Sequence, residues 1–166
     1  VREISPGSLS ALQTSKQEIV GRLIREVGPQ AHFATSAAPT FVAFRTSIYL
    51  ELSLNSTLPE NTSGSRYTIA AVAFDDHIAH LLRPATAYFK DDKDFDGIGF
   101  STTVRVPSKA KSGGTSEAVE FFFPFSLLRC YAKYDCTGQQ LIDAGTVLID
   151  GERVTLDLQN AESNIR

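Results

Sequence analysis

Residues 91–100 read Asp91-Asp92-Lys93-Asp94-Phe95-Asp96-Gly97-Ile98-Gly99-Phe100 and place an acidic turn directly before a strand pattern. Asp92, Asp94 and Asp96 alternate and are closed by a glycine, which is the first half of a D-x-D-x-D-G calcium loop. In such a loop the carboxylates converge on one ion, and a backbone carbonyl, here that of Ile98, adds a ligand. We therefore expect a Ca²⁺ site formed by Asp92, Asp94, Asp96 and Ile98.

The resemblance to calcium-binding proteins is confined to this short loop. Counting Asp92 as the first position, the twelfth position is Thr103, where an EF-hand loop has a bidentate Glu. The flanking residues also lack the pattern of two helices. Because Asp and Gly are favoured in turns for local reasons, a solvated acidic turn between two strands is the alternative interpretation.

Alternation on both sides of the loop predicts strands. From Ile98 to Val106 every second residue is apolar or Thr, which is the period of a strand with one buried face. Upstream, residues 40–55 alternate strictly and predict one long strand, Tyr67–Phe74 predicts a more fully buried strand, and Thr86–Phe89 predicts a short one.

The C-terminal half predicts further strands and a hairpin. Residues 119–125 form a Phe-rich alternating run in which Pro124 indicates a sheet edge or a strand end. Ser126 is expected to cap a short helix. Asp150-Gly151, flanked by β-forming residues, predicts a type I′ hairpin turn, since both central residues of that turn need positive φ. The Lys/Gly/Ser-rich segment 107–115 is expected to be a loop.

The N-terminal segment has the spacing of an amphipathic helix. Its apolar residues recur at helical intervals from Leu9 to Val27, and Gly28-Pro29 ends the pattern. A capping box from Ser15 to Glu18 suggests that the regular helix begins there.

Together these elements predict an α+β fold, with the N-terminal amphipathic helix packed on a curved antiparallel sheet of about six strands. A β-sandwich with an appended helix is the alternative. A parallel α/β fold is disfavoured, because helical segments do not alternate with strands.

Length and composition indicate one domain over residues 1–166, with 42% hydrophobic residues to form a core. A net charge of −3, with the basic residues dispersed, disfavours binding to nucleic acid. No apolar run reaches the roughly 18 residues that a membrane span requires. The chain starts at Val1 and has no Met, as expected of a processed chain or an excised fragment.

Two features indicate an oxidising compartment, so we expect a secreted, periplasmic or cell-surface protein. Cys130 and Cys136 enclose a short segment that a disulfide can close. The alternative is two unpaired thiols in a reducing cytosol. Asn55-Ser56-Thr57 and Asn61-Thr62-Ser63 have the N-glycosylation pattern.

A second metal site is suggested by His77-x-x-His80, which follows Asp75-Asp76. On a helix, His77 and His80 would share a face and could bind one zinc or copper ion, with a carboxylate from Asp75 or Asp76 as a third ligand. On a strand they would point to opposite faces. The alternative is two histidines at the rim of the sheet. Pro84, further along, is expected to break the element.

No catalytic motif is present in the sequence, so we expect an exported, non-enzymatic structural or adhesive domain, stabilised by Ca²⁺. It would act through a protein or glycan partner or through self-association. Phe122, which alternation turns away from its Phe neighbours, is a candidate interface residue. Two alternatives are a small-molecule-binding or enzymatic α+β cone with an apolar pocket under the helix, and an accessory subunit of a larger assembly.

Overall fold

The computed structural model describes residues 4–31, 38–59, 65–107 and 115–158. The α-helices are α1 Pro6–Ser15, α2 Gln17–Val27, α3 Arg66–Ala73, α4 Ala79–Phe89, α5 Phe125–Ala132 and α6 Gly138–Ala144. A 3₁₀ turn at Gly28–Gln30 follows α2, and a π-helical turn at Phe74–Ile78 links α3 to α4. The strands are β1 Thr40–Phe44, β2 Ser47–Thr57, β3 Gly97–Val106, β4 Thr115–Pro124, β5 Thr146–Ile149 and β6 Glu152–Val154.

The strands form one open sheet in the order β1-β2-β3-β4-β5-β6. All neighbouring strands are antiparallel except β2 and β3, which are parallel because α3 and α4 connect them. The predicted α+β class, with helices packed on a mostly antiparallel sheet, is confirmed.

The sheet has two chemically different faces. On the helix side, residues such as Leu50, Phe100 and Phe121 are at most 1% exposed and join the helices in one core. The residues between them in the strands, such as Ser53, Thr103 and Glu120, are half-buried or exposed. Strand alternation therefore separates a helix-covered face from the opposite one.

The N-terminal segment is two consecutive helices that meet at Lys16. The first begins at Pro6, where Ser5 and Ser8 form a reciprocal capping box. The amphipathic helix α2 begins at Gln17, close to the predicted start, but Lys16 is its N-cap and the predicted capping box at Ser15 is absent. Helical structure also begins earlier than predicted, at Pro6, because Ser5 caps α1. Val20, Leu23 and Val27 of α2 face the core, so the amphipathic pattern predicted the buried stripe correctly.

The strand predicted over residues 40–55 is a hairpin, not one strand. The chain turns at Arg45-Thr46, where Arg45 has a φ of 56°, and Val42 then pairs with Tyr49. Neither turn residue is Gly, Asn or Asp, so the sequence lacks the usual hairpin marker.

Two other predicted strands are helices. Tyr67–Phe74 lies mainly in α3, which Ser65 caps, and Thr86–Phe89 is the end of α4. A short buried apolar run has the same pattern in a helix and in a strand, and the alanines of α3 favour the helix. Pro84 lies inside α4 and does not end it.

The central strand and the last hairpin were predicted correctly. β3 covers Gly97–Val106, β4 ends at Pro124, and Asp150 and Gly151 have φ values of 51° and 84°. The short helix after Pro124 is present, but Pro124 is its N-cap and Ser126 does not cap it. Residues 108–114 of the predicted Lys/Gly/Ser loop lie outside the described residues.

The edge strand β1 is covered by a side chain of α1. Gln13 Nε2 donates to the carbonyl oxygen of Pro39 at 3.1 Å, and the amide of Phe41 donates to Gln13 Oε1 at 3.3 Å. The Gln13 amide thus satisfies backbone groups of an edge that would otherwise be open to another strand.

Gly97 is required where β3 begins. A Cβ at this position would overlap the carbonyl oxygen of Phe123 and lie 2.9 Å from both Pro124 Cα and the Tyr49 ring. We expect Gly97→Ala to lower the free energy of unfolding by about 1–3 kcal/mol, because the backbone of β4 cannot move aside cheaply.

The matched control is Gly7→Ala in α1, where a Cβ would meet only Ser5 Oγ, at 3.8 Å. Urea unfolding of this variant should give a stability equal to the wild type or slightly higher. Equal stabilities of the two variants would contradict the packing argument.

Candidate functional site

Two carboxylates of the acidic loop form ion pairs with a lysine of the same chain. Lys16 Nζ lies 2.8 Å from Asp92 Oδ2 and 2.7 Å from Asp94 Oδ2. Asp92 Oδ1 accepts a hydrogen bond from the Asp94 amide at 2.8 Å, which fixes the turn. Burial opposes the charge of Lys16, but the hydrogen bonds to Asp92 and Asp94 outweigh it and raise the pKa of the ammonium group.

Asp96 has a different role from the other two aspartates. Its Oδ2 accepts from the Ile48 amide at 2.8 Å, and its own amide donates to the Ile48 carbonyl at 2.8 Å. Its carbonyl accepts from the Phe125 amide at 2.9 Å. Asp96 therefore joins the starts of β2, β3 and α5.

Ile98, the fourth predicted calcium ligand, is fully buried in β3 and pairs with Leu50 and Phe123. Within the described ranges, no three His, Cys, Asp or Glu side chains are grouped so that they could hold a metal ion. The structure thus brings Asp92 and Asp94 together around Lys16 and directs Asp96 to the backbone. Calcium binding stays a prediction.

A cleft of about 890 Å³ lies beside this loop. Acidic residues (Asp91, Asp92, Asp96) and basic residues (Lys90, Lys93, Arg129) line it together with Ser47, Phe95 and the first residues of α5. Arg129 Nη1 donates to the Lys90 carbonyl at 3.2 Å. The mixture of charges gives the cleft no clear preference for an anion or a cation.

The second predicted metal site lies at the π-helical turn between α3 and α4. His77 belongs to the π-helical turn and is half-buried, while His80 is exposed in the first turn of α4. Asp75 is exposed as a residue, but its carboxyl group is partly shielded from solvent. This desolvation, followed by the charge of Asp76, raises the pKa of Asp75. Among the described residues, Asp75, His77 and His80 are not grouped so that they could hold one metal ion together. Their role as ligands stays a prediction.

The predicted disulfide between Cys130 and Cys136 is present, with a Cα–Cα distance of 5.3 Å. It joins α5 to the segment before α6. Within this loop Tyr134 has a φ of 64°, and its amide donates to the Tyr131 carbonyl at 3.0 Å. Tyr134 is 76% exposed and is the one exposed large hydrophobic side chain in the described part of the chain.

Arg83 of α4 contacts two tyrosines of this loop. Its Cζ lies 4.2 Å from the centre of the Tyr131 ring and 3.8 Å from that of Tyr134. Its Nε is buried and has no hydrogen-bond partner among the residues that the structure describes. We call Arg83, Tyr131 and Tyr134 the Tyr-Arg-Tyr cluster. Their contacts are the cation–π type, which fixes the orientation of the guanidinium.

The sheet face opposite the helices carries an aromatic cluster. Phe122 stacks on Phe44 with 4.3 Å between ring centres, and Tyr49 meets Phe122 edge-on at 5.2 Å. Phe122 does face away from Phe121 and Phe123, but Phe44 and Tyr49 leave only 4% of it exposed. Its role at an interface stays a prediction.

The same face carries the two glutamates Glu51 and Glu120. Burial, followed by the charge of Glu120, raises the pKa of the Glu51 carboxyl group. Asn55, the first predicted glycosylation site, is exposed on this face near the end of β2. Asn61, the second, lies outside the described residues.

Sequence reasoning missed Lys16, Arg83 and the Glu51–Glu120 pair as site residues. Each acts with a residue far away in the chain, so no local pattern marks it. For the glutamates one signal was available, because both occupy polar positions of strongly alternating strands.

The chain has no significant match to any family model, to any curated protein or to any solved structure. In the described ranges, no helix combines the length and apolar character that crossing a membrane requires. The function must therefore be argued from the geometry.

The raised pKa of Glu51 predicts how stability depends on pH. Because folding raises this pKa, the ionised carboxylate opposes folding, and the contribution of Glu51 is most favourable below pH 4.5. It is lost as the pH rises through the folded-state pKa. We expect Glu51→Gln to be more stable than the wild type at pH 7, with the difference shrinking toward pH 4.

Glu120→Gln should act in the same direction but less strongly, because it removes only the charge of the neighbour. Urea unfolding of both variants from pH 4 to 8 measures the effect. Stability curves that run parallel to the wild-type curve at every pH would contradict it.

Proposed function

We propose that this protein is an exported, non-enzymatic contact domain, structural or adhesive in role, which binds a protein partner. The observation that carries the proposal is the Tyr-Arg-Tyr cluster beside the Cys130–Cys136 disulfide. Tyr and Arg are the residues most enriched among those that dominate binding energy at protein interfaces.

The cluster is held in place before any partner arrives. The disulfide closes the loop, the Tyr134 backbone adopts positive φ, and Arg83 contacts both rings. Ordering flexible side chains costs about 0.5–1.5 kcal/mol each on binding, so a preordered Tyr and Arg retain more of their contact energy. An exposed Tyr in this setting favours a contact surface over a packing role.

Export is supported by two independent features. A disulfide persists in oxidising compartments and is rare in a reducing cytosol. Asn55, within an Asn-Ser-Thr triplet, is exposed and thus accessible for glycosylation.

Calcium enters the proposal as a stabiliser of the acidic loop. What supports it is the pair Asp92 and Asp94, whose carboxylates are already arranged around one positive charge, that of Lys16. Ca²⁺ prefers carboxylate oxygens, and to bind here it would displace the lysine ammonium group. Ca²⁺ would then take the place of the Lys16 ammonium group and would not enter a preformed vacant site.

Thermal unfolding with Ca²⁺ and then with EDTA tests this stabilisation. At a free Ca²⁺ concentration about a hundred times Kd, one site adds about 2.7 kcal/mol, or roughly 5–10 °C in Tm for a chain of this size. Asp94→Asn should reduce the shift, because it removes a ligand. Lys16→Gln should enlarge it, because it removes the competing ammonium group.

In EDTA, Lys16→Gln should lose on the order of 1 kcal/mol relative to the wild type, since the ion pairs are lost. A Tm that is independent of Ca²⁺ in both the wild type and Lys16→Gln would exclude the metal and leave Lys16 as the cation that Asp92 and Asp94 bind.

Binding of fluorescently labelled protein to intact cells of its source tests the contact role. We expect Tyr134→Ser and Arg83→Gln each to weaken saturable binding at least tenfold, as for residues at the centre of an interface. Treating the cells with protease beforehand should abolish binding if the partner is a protein.

The matched control is Arg66→Gln. Arg66 also lies over a tyrosine ring, 5.1 Å from Tyr67, but it pairs with Glu152 elsewhere on the molecule. Binding that is lost equally in this control, or that survives protease and disappears with glycosidase, would contradict a protein contact at the Tyr-Arg-Tyr cluster. A light-scattering mass above that of one chain would indicate self-association instead.

A further inference from the structure

The sheet face opposite the helices carries a strip of polar residues across β2, β3 and β4, which the buried aromatic cluster of Tyr49 and Phe122 closes at one end. We call it the open face. It consists of the residues that alternate with the core positions: Tyr49, Glu51, Ser53 and Asn55 of β2, Gly97, Gly99, Ser101, Thr103 and Arg105 of β3, and Ala118, Glu120 and Phe122 of β4.

Strand register places the two glutamates on either side of β3. Glu51 of β2 pairs with Gly99, and Glu120 of β4 pairs with Ser101. Neighbouring strands are about 4.8 Å apart, so roughly 10 Å separates the β2 and β4 backbones. The two carboxylates therefore border a short trough along β3.

Ser101, which has a short polar side chain, forms the floor of the trough. The neighbouring Gly99 is buried, because the Phe122 ring lies over it: a Cβ on Gly99 would be 3.0 Å from Phe122 Cδ1. The Phe122 ring therefore closes this end of the trough. The stacked Phe44 and Phe122 rings thus form an apolar wall beside two acids.

Neither glutamate has a counter-ion within the described part of the protein. No ion pair joins Glu51 or Glu120 to a described residue, and the arginines that do form ion pairs, Arg22 and Arg66, bind other acids. Two like charges that raise each other's energy are relieved by a cation placed between them. The electrostatics between Glu51 and Glu120 therefore complement a positive group.

We propose that the open face docks a protein segment that presents an arginine or lysine side chain, which Glu51 and Glu120 bind from both sides over Ser101. A guanidinium group has five N–H donors in a fixed plane and can reach both carboxylates at once. Its aliphatic stem packs along the Phe122 end of the trough.

This surface is separate in sequence and in chemistry from the Tyr-Arg-Tyr cluster. That cluster presents a cation and an exposed ring, whereas the trough presents two carboxylates. The docking proposal can therefore fail while the contact role of Tyr134 stands, and the reverse also holds.

The test uses tetra-arginine amide as the probe, with the neutral isostere tetra-citrulline amide as its control. The ¹⁵N-labelled full chain is titrated with each peptide, and backbone amide shifts are followed by NMR. We expect tetra-arginine to shift the amides of residues 51, 99, 101 and 120 saturably, and tetra-citrulline to bind at least tenfold more weakly.

Matched variants separate the trough from the net negative charge of the chain. Glu51→Gln with Glu120→Gln should weaken tetra-arginine binding at least tenfold. Glu18→Gln with Asp143→Asn removes two exposed charges elsewhere and should change it less than twofold. Because Glu51→Gln removes a half-buried charge that opposes folding, the first variant is expected to fold.

Four outcomes would overturn the proposal. Tetra-arginine affinity could fall equally in the two double variants, its amide shifts could spread over the whole surface, or tetra-citrulline could bind equally well. Finally, light scattering could report that the free protein is a dimer whose interface protects these amides. In the last case a second copy, and not a basic segment, would occupy the open face.

Discussion

The sheet depends on the hydrogen bonds of Asp96. A parallel pair such as β2 and β3 has no hairpin to set its register, because the connection passes through two helices. Asp96 supplies the register by donating its amide to the Ile48 carbonyl and by accepting the Ile48 amide on its carboxylate. Its carbonyl then receives the Phe125 amide, so the end of β4 and the start of α5 are fixed by the same residue.

This constraint explains why an acidic pattern can be structural. The aspartates at 92, 94 and 96 look equivalent in the sequence, yet their roles differ. Asp92 and Asp94 both pair with Lys16, Asp92 also closes an Asx turn, and Asp96 bonds to the neighbouring strand. Gly97 follows Asp96 because the β4 backbone and the Tyr49 ring leave no room for a Cβ there. Asp96 and Gly97 are therefore explained by the close packing of neighbouring strands, which a turn motif alone would not require.

How far the sequence predicts the fold depends on whether the deciding contacts are local. The β5–β6 hairpin was predictable because Asp150-Gly151 itself adopts the required φ values, and β3 because alternation reports its single buried face. The helix α3 was not, because all sides of it are near the core and its apolar run has no helical or strand period. The β1–β2 turn was not, because Arg45 adopts positive φ without a sequence marker.

The same reasoning accounts for the candidate sites. The disulfide was predictable because six positions separate its cysteines, and a loop that short brings them together by itself. Lys16 and Asp94 are 78 positions apart, and their pairing follows only from α1 and the β3 loop packing at one end of the sheet. Glu51 and Glu120 lie on either side of β3 because β2 and β4 both pair with that strand, although the two glutamates are far apart in the sequence. Burial and the nearby Glu120 both raise the free energy of the ionised Glu51 carboxylate. A positively charged partner lowers this free energy most where the chain itself supplies no counter-ion. For this reason an uncompensated acid pair on the open face is a stronger indication of binding than an acidic loop whose charge the chain already balances.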